Sequence, residues 1–119
     1  MKICDEMVKL RAELDKKGIQ WKDASSIRTE AGINAMIDVG IKAEYADTSM
    51  YRTHFEHNGY KFRVIHGFGS YGGKDTLTGN DRGLLECMTE KINGGEPVGF
   101  LTAAEVLNIE VLNIIEQEG

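Results

Sequence analysis

The chain has 119 residues, 41% of them hydrophobic, with 14 basic against 19 acidic side chains and a net charge of -5. This is the composition of an ordinary globular domain spanning residues 1–119, and it excludes a disordered polymer. The acidic balance argues against nucleic acid as the main partner, because domains built to grip phosphate backbones are usually basic.

The N-terminal run Met1-Lys2-Ile3-Cys4-Asp5-Glu6 becomes charged at once and has no signal-peptide core. No apolar run approaches the ~20 residues that span a bilayer. A cytoplasmic location without membrane contact is therefore expected. Ile3, Met7, Leu10 and Leu14 recur at helical spacing, and Lys16-Lys17-Gly18 supplies a basic last turn and a glycine stop. Ile19-Gln20-Trp21-Lys22 then alternates like a short strand. Over residues 31–45 two patterns compete. Ile33, Met36, Ile37 and Ile41 suit one helical face, yet Ile33, Ala35, Ile37, Val39, Ile41, Ala43 and Tyr45 alternate with Asp38, Gly40, Lys42 and Glu44. The alternation favours a strand.

Asn58-Gly59 is the preferred two-residue type I′ turn and predicts a hairpin. In that register His57 faces Tyr60, Phe55 faces Phe62, Thr53 faces Val64 and Tyr51 faces His66. One face carries Tyr51, Phe55, Tyr60, Phe62 and Val64. The other carries Arg52 opposite Ile65, His54 opposite Arg63, and Glu56 opposite Lys61 as a matched charge pair. The hairpin runs into a glycine-rich loop, Gly67-Phe68-Gly69-Ser70-Tyr71-Gly72-Gly73-Lys74. Beyond it, Leu84, Leu85, Met88 and Ile92 read as a short amphipathic helix ended by Gly94-Gly95 and Pro97. Thr102-Ala103-Ala104-Glu105 is a capping box that opens a last helix, with Leu101 and Val106 placed as its hydrophobic staple. Apolar residues from Val106 to Ile115 wrap most of that helix. Such a helix is either sandwiched inside the domain or packed against a second copy, and a homodimer is favoured. The fold expected is α+β: an N-terminal helix, an antiparallel sheet of three to four strands with the Asn-Gly hairpin, and two C-terminal helices.

The residues that could carry chemistry point to binding more than to catalysis. Cys4 and Cys87 both fall in predicted helices and are expected as free thiols rather than a disulfide. His54-Phe55-Glu56-His57 looks like a ligand pair, but residues three apart on a strand face opposite ways, so no metal and no cofactor is expected. Cys87 reads as packing, and Ser70 has no acid–base partner nameable from sequence. No enzyme is expected. The glycine loop meets a bare Gly-x-Gly-x-x-Gly pattern, but a hairpin precedes it and no helix opens directly on it, so a dinucleotide fingerprint fails. Two readings stay open: a corner, which is favoured, or a backbone nest for an anion. In the second, Gly69, Tyr71, Gly72, Gly73 and Lys74 would bind, with Arg82 adding charge. Arg52, His54, Lys61 and Arg63 form a basic strip, which is a solvated sheet face unless it adjoins the loop and makes a pocket for a phosphate or an acidic partner.

Arg52-Thr53-x-Phe55, Val64-Ile65-x-Gly67-x-Gly69-x-Tyr71-Gly72-Gly73, Gly83-Leu84-Leu85-Glu86-x-Met88 and Asn93-Gly94-Gly95-x-Pro97-Val98-Gly99-x-Leu101-Thr102-Ala103-x-Glu105-Val106 together resemble a family of small bacteriophage and prophage proteins. The first helix and Ile19-x-Trp21-x-Asp23 are similar too, whereas residues 27–50 differ. The resemblance implies a phage or mobile-element setting inside a host cell and brings no catalytic residues. It makes non-catalytic binding the expected activity. The first partner expected is a host defence protein such as a CRISPR effector, bound through acidic helices and the hairpin surface. The alternatives are a sponge for a nucleotide immune signal and a structural or regulatory phage protein without a ligand.

Overall fold

The computed structural model describes residues 2–108. Its elements are α1 (Asp5–Lys16), β1 (Trp21–Asp23), α2 (Glu30–Asp38), α3 (Ala43–Ala46), β2 (Met50–His57), β3 (Tyr60–Gly67), β4 (Leu85–Thr89), β5 (Val98–Leu101) and α4 (Ala103–Asn108). The five strands form one antiparallel sheet in the order β1-β2-β3-β4-β5. The architecture is α+β, with one more strand than the sequence reading allowed.

The hairpin sits in the register its turn dictates, with Phe55 opposite Phe62 and His54 opposite Arg63. Asn58 at φ 52° and Gly59 at φ 82° supply the two positive φ angles of a type I′ turn. Phe55 and Phe62 stack at 4.8 Å between ring centroids. Met7, Leu10 and Leu14 of α1 pack with them, and Val64, Leu85, Cys87, Leu101, Val106 and Leu107 complete the core. Each such side chain removed from water contributes about 1.5–3 kcal/mol. The helical partner, α1, is pinned to the sheet by polar contacts too. Arg11 lies over the Trp21 ring, and its guanidinium donates to Thr53 Oγ1 at 2.8 Å and to Asp23 Oδ1 at 3.2 Å. Glu6 accepts from the Ala103 N–H at 2.8 Å, joining α1 to the start of α4. The capping box is formed in both directions, Thr102 N–H to Glu105 Oε1 at 3.0 Å and Glu105 N–H to Thr102 Oγ1 at 3.1 Å.

Several expectations are corrected. Residues 30–38 are helical, not a strand, and begin at Thr29, whose hydroxyl accepts from the Gly32 N–H at 3.0 Å. None of the residues of α2 is buried, so the alternation does not mark a face turned to a core. Residues 85–89 are a strand, not a helix. There Leu85, Cys87 and Thr89 turn inward, and pairing of Phe62 to Ile65 with this segment satisfies the open edge of β3, which a helix could not do. Only α4 follows the sheet among the described residues, in place of the two C-terminal helices expected. Cys4 is the residue just before α1 and Cys87 lies in β4, so neither thiol is inside a helix, and both are free. The apolar run that motivated a homodimer lies, from residue 109 on, outside the described residues.

Candidate functional site

The glycine loop leaves β3 and folds back on itself. Gly69 N–H bonds to Lys74 O at 2.8 Å, Ser70 N–H to Gly67 O at 3.2 Å, and Gly73 N–H to Ser70 O at 3.0 Å. Lys74 N–H also reaches Gly67 O, and Gly67 N–H bonds to Ser70 Oγ. Tyr71 N–H donates to Glu86 Oε1 at 2.8 Å, so a carboxylate of the protein itself takes that amide. These donors are spent within the fold and not held out for an anion. Close approach explains the glycine at position 73: a Cβ there would sit 2.1 Å from Ser70 Oγ and 2.5 Å from Gly67 O. The loop turns the chain back on itself through these bonds. A depression of about 260 Å³ remains against it, lined by Gly69, Tyr71, Gly72, Gly73, Lys74, Arg82 and Phe100 among others. The residues Arg52, His54 and Arg63 do not line it, so strip and loop do not make one pocket.

The basic strip lies on the sheet face opposite α1 and α4. The register aligns Lys22, His54, Arg63 and Met88 in one row across four strands, with Arg52 and Lys61 flanking it on β2 and β3. Lys22 is a member the sequence reading missed, because β1 pairing had not been placed. Lys22, Lys61 and Arg63 are exposed, and Arg52 and His54 are half-buried. Partial burial lowers the His54 pKa, and the charges of Arg63, Arg52 and Lys22 lower it further. The imidazole thus reports a locally positive face on an acidic chain.

A second site was not legible from motifs. At the N-terminus of α1, Cys4 and Asp81 line an open cleft of about 610 Å³ with Lys2, Asp5, Asp47, Lys74 and Arg82. His66, the inward residue at the end of β3, is fully buried, and its Nε2 lies 2.8 Å from Asp81 Oδ1. The glycine corner sets up this contact, because a bridge between Lys74 and Asp81 returns the chain alongside β3. Asp81 is held in turn by the Gly83 N–H at 2.8 Å. Burial lowers the pKa of His66, but Cys4 and Asp81, both within range of the ring, outweigh it and leave the pKa raised. His66 Nδ1 is buried with no aligned hydrogen-bond partner. The other thiol, Cys87, is pushed up to about 12 by burial and by the charge of Glu86, and is inert packing. Among the described residues no three His, Cys, Asp or Glu side chains are placed to hold one metal ion. His54 and His57 do point to opposite faces, with His57 buried.

No family model, curated protein or solved structure matches the chain. The sites are therefore argued from their own geometry.

Proposed function

We propose that this chain is an accessory protein of a phage or mobile element that disables a host defence protein, such as a CRISPR effector, by docking on an acidic surface of it. One observation carries the reading. The sheet face away from α1 and α4 gathers Lys22, Arg52, His54, Lys61 and Arg63, against Glu56 and the buried Glu86 on the same face and Glu90 and Glu96 beside Lys61 and Arg63 at its β4 end, on a chain that is acidic as a whole. Cations grouped against the sign of the net charge steer association with an anionic surface and fix its register. The phage setting comes from the resemblance of the hairpin, glycine run and capping box, not from this face. The nucleotide-sponge alternative draws no support from the loop amides, which bond internally.

The test is plaquing on a host that carries a CRISPR system targeting the phage, with and without this chain expressed. Rescue is expected with the native chain and not with Arg52→Glu/Arg63→Glu, while both fold to the same melting temperature. Equal rescue by the charge-reversed variant removes the sheet face from the mechanism. A large thermal stabilisation by cyclic nucleotides or ADP-ribose derivatives replaces docking with sequestration.

A further inference from the structure

Strand β5 carries one residue more than its neighbour. Leu101 pairs with Leu85 and Val98 with Cys87, so Gly99 and Phe100 together stand opposite the single residue Glu86. This bulge lets Val98 and Leu101, three apart, both pack on the core. It also holds Phe100 at φ 60°, a left-handed conformation that favours glycine. The Phe100 ring is 51% exposed, so burial does not offset that strain, and strain of this kind gathers at binding sites. The glycine loop is built to meet the bulge. Phe100 N–H donates to Tyr71 O at 3.2 Å, and Tyr71 N–H donates to Glu86 Oε1 at 2.8 Å. A Cβ at Gly99 would overlap that of Tyr71, and one at Gly72 would sit 3.0 Å from Phe100 Cα. The two aromatic residues are thereby fixed side by side, and Tyr71 is 56% exposed.

We propose that the loop and bulge form a second contact surface, which docks a segment of a partner protein carrying an apolar side chain flanked by carboxylates. Tyr71, Phe100 and Leu77, itself 84% exposed, line the depression of about 260 Å³. That space is smaller than the usual small-molecule pocket and takes a single side chain. Lys74 and Arg82 line it as well, and the Arg82 guanidinium lies 5.5 Å from the centre of the Phe100 ring. Asp75, the acid of the lining, turns its carboxylate to the N–H groups of Leu77 and Thr78 at 2.7 and 3.1 Å. Apolar anchors beside two cations match a segment of the opposite charge. Exposed Tyr, Phe and Arg together are also the residues that interface cores concentrate. A nucleotide stacks on such rings too, but the loop amides that would hold its phosphate bond within the fold. A protein segment asks nothing of those amides. The surface shares no residue with the cationic row and stands independently of it.

The probe is acetyl-Asp-Phe-Asp-amide, titrated into the isotope-labelled full chain and followed by amide chemical shifts. Shifts centred on Tyr71, Leu77, Arg82 and Phe100 are expected. Peptides with Lys in place of Asp, or Ala in place of Phe, are expected to bind about tenfold more weakly or less. Phe100→Gly suits the left-handed backbone, so it should keep the native melting temperature while weakening the peptide by about tenfold or more. Leu77→Ser tests the site without touching the bulge: an exposed side chain changes, the fold stays, and the peptide weakens by about tenfold. Arg52→Glu/Arg63→Glu should bind the peptide as the native chain does, which separates this surface from the cationic row. Shifts centred elsewhere, equal binding of the Lys peptide, or native affinity in a folded Leu77→Ser overturns the proposal. Adenosine monophosphate moving the same amides at lower concentration than the peptide also overturns it and gives the site to a nucleotide.

Discussion

At the scale of single residues, two histidines of this chain respond to pH in opposite senses. Burial works against the charge on His66, but Cys4 and Asp81 outweigh it and the folded pKa is raised. Its contribution to stability is full below the unfolded value of about 6.5 and is lost as pH rises through the folded value. His54 is lowered, first by burial and then by Arg63, Arg52 and Lys22. Its contribution is present above about 6.5 and is lost as pH falls through the folded value. Urea midpoints followed from about pH 5.5 to about pH 8.5 are expected to fall less at the alkaline end in Asp81→Asn, and less at the acidic end in His54→Gln. Unchanged profiles in both variants contradict the assigned partners. The residue scale is also where sequence reading was weakest. Cys4, His66 and Asp81 share no spacing, so no motif announces them. One signal was available: the hairpin register puts His66 on the inward side, opposite Tyr51, and an inward histidine at a strand end needs a partner.

At the scale of elements, the legible pieces were those whose local chemistry decides the outcome alone. The Asn58-Gly59 turn fixed the pairing of β2 with β3, and the Thr102–Glu105 box fixed the start of α4. The illegible ones were decided by distant partners. Leu84, Leu85, Met88 and Ile92 fit a helical stripe, but the free edge of β3 recruited residues 85–89 as a strand. In α2 the apolar positions meet no core, and Val39 just beyond it is 76% exposed, so periodicity had nothing to report. The positions of the glycine run differ in kind. Gly73→Ala forces a Cβ against Ser70 and Gly67 and is expected to cost about 1–3 kcal/mol. Gly83→Ala meets open space at φ 66° and should cost about 1 kcal/mol. Chemical denaturation of the two variants checks the order. Gly73→Ala should also loosen the His66–Asp81 contact, because the corner it distorts delivers Asp81 to His66, and the His66 ring-nitrogen chemical shifts check it.

At the scale of the whole molecule, the two faces of the sheet differ in character. One face is closed by α1 and α4 over an apolar core, and the other presents the cationic row to solvent. If the row steers docking, the association rate with an acidic target falls steeply with added salt, while the dissociation rate changes little. Surface-binding kinetics across a salt series checks this. Arg63→Glu should lower the association rate and flatten its salt dependence.

The order β1-β2-β3-β4-β5 follows the order of the chain, so every strand can zip onto its predecessor without waiting for a distant one. The contact that cannot form this way is Glu6 to Ala103, ninety-seven residues apart, which fastens α1 to α4. The docking of α1 therefore closes the two ends of the described chain on a sheet already built. A chain ending before Ala103 lacks the amide that holds Glu6, and α1 then loses its tie to α4.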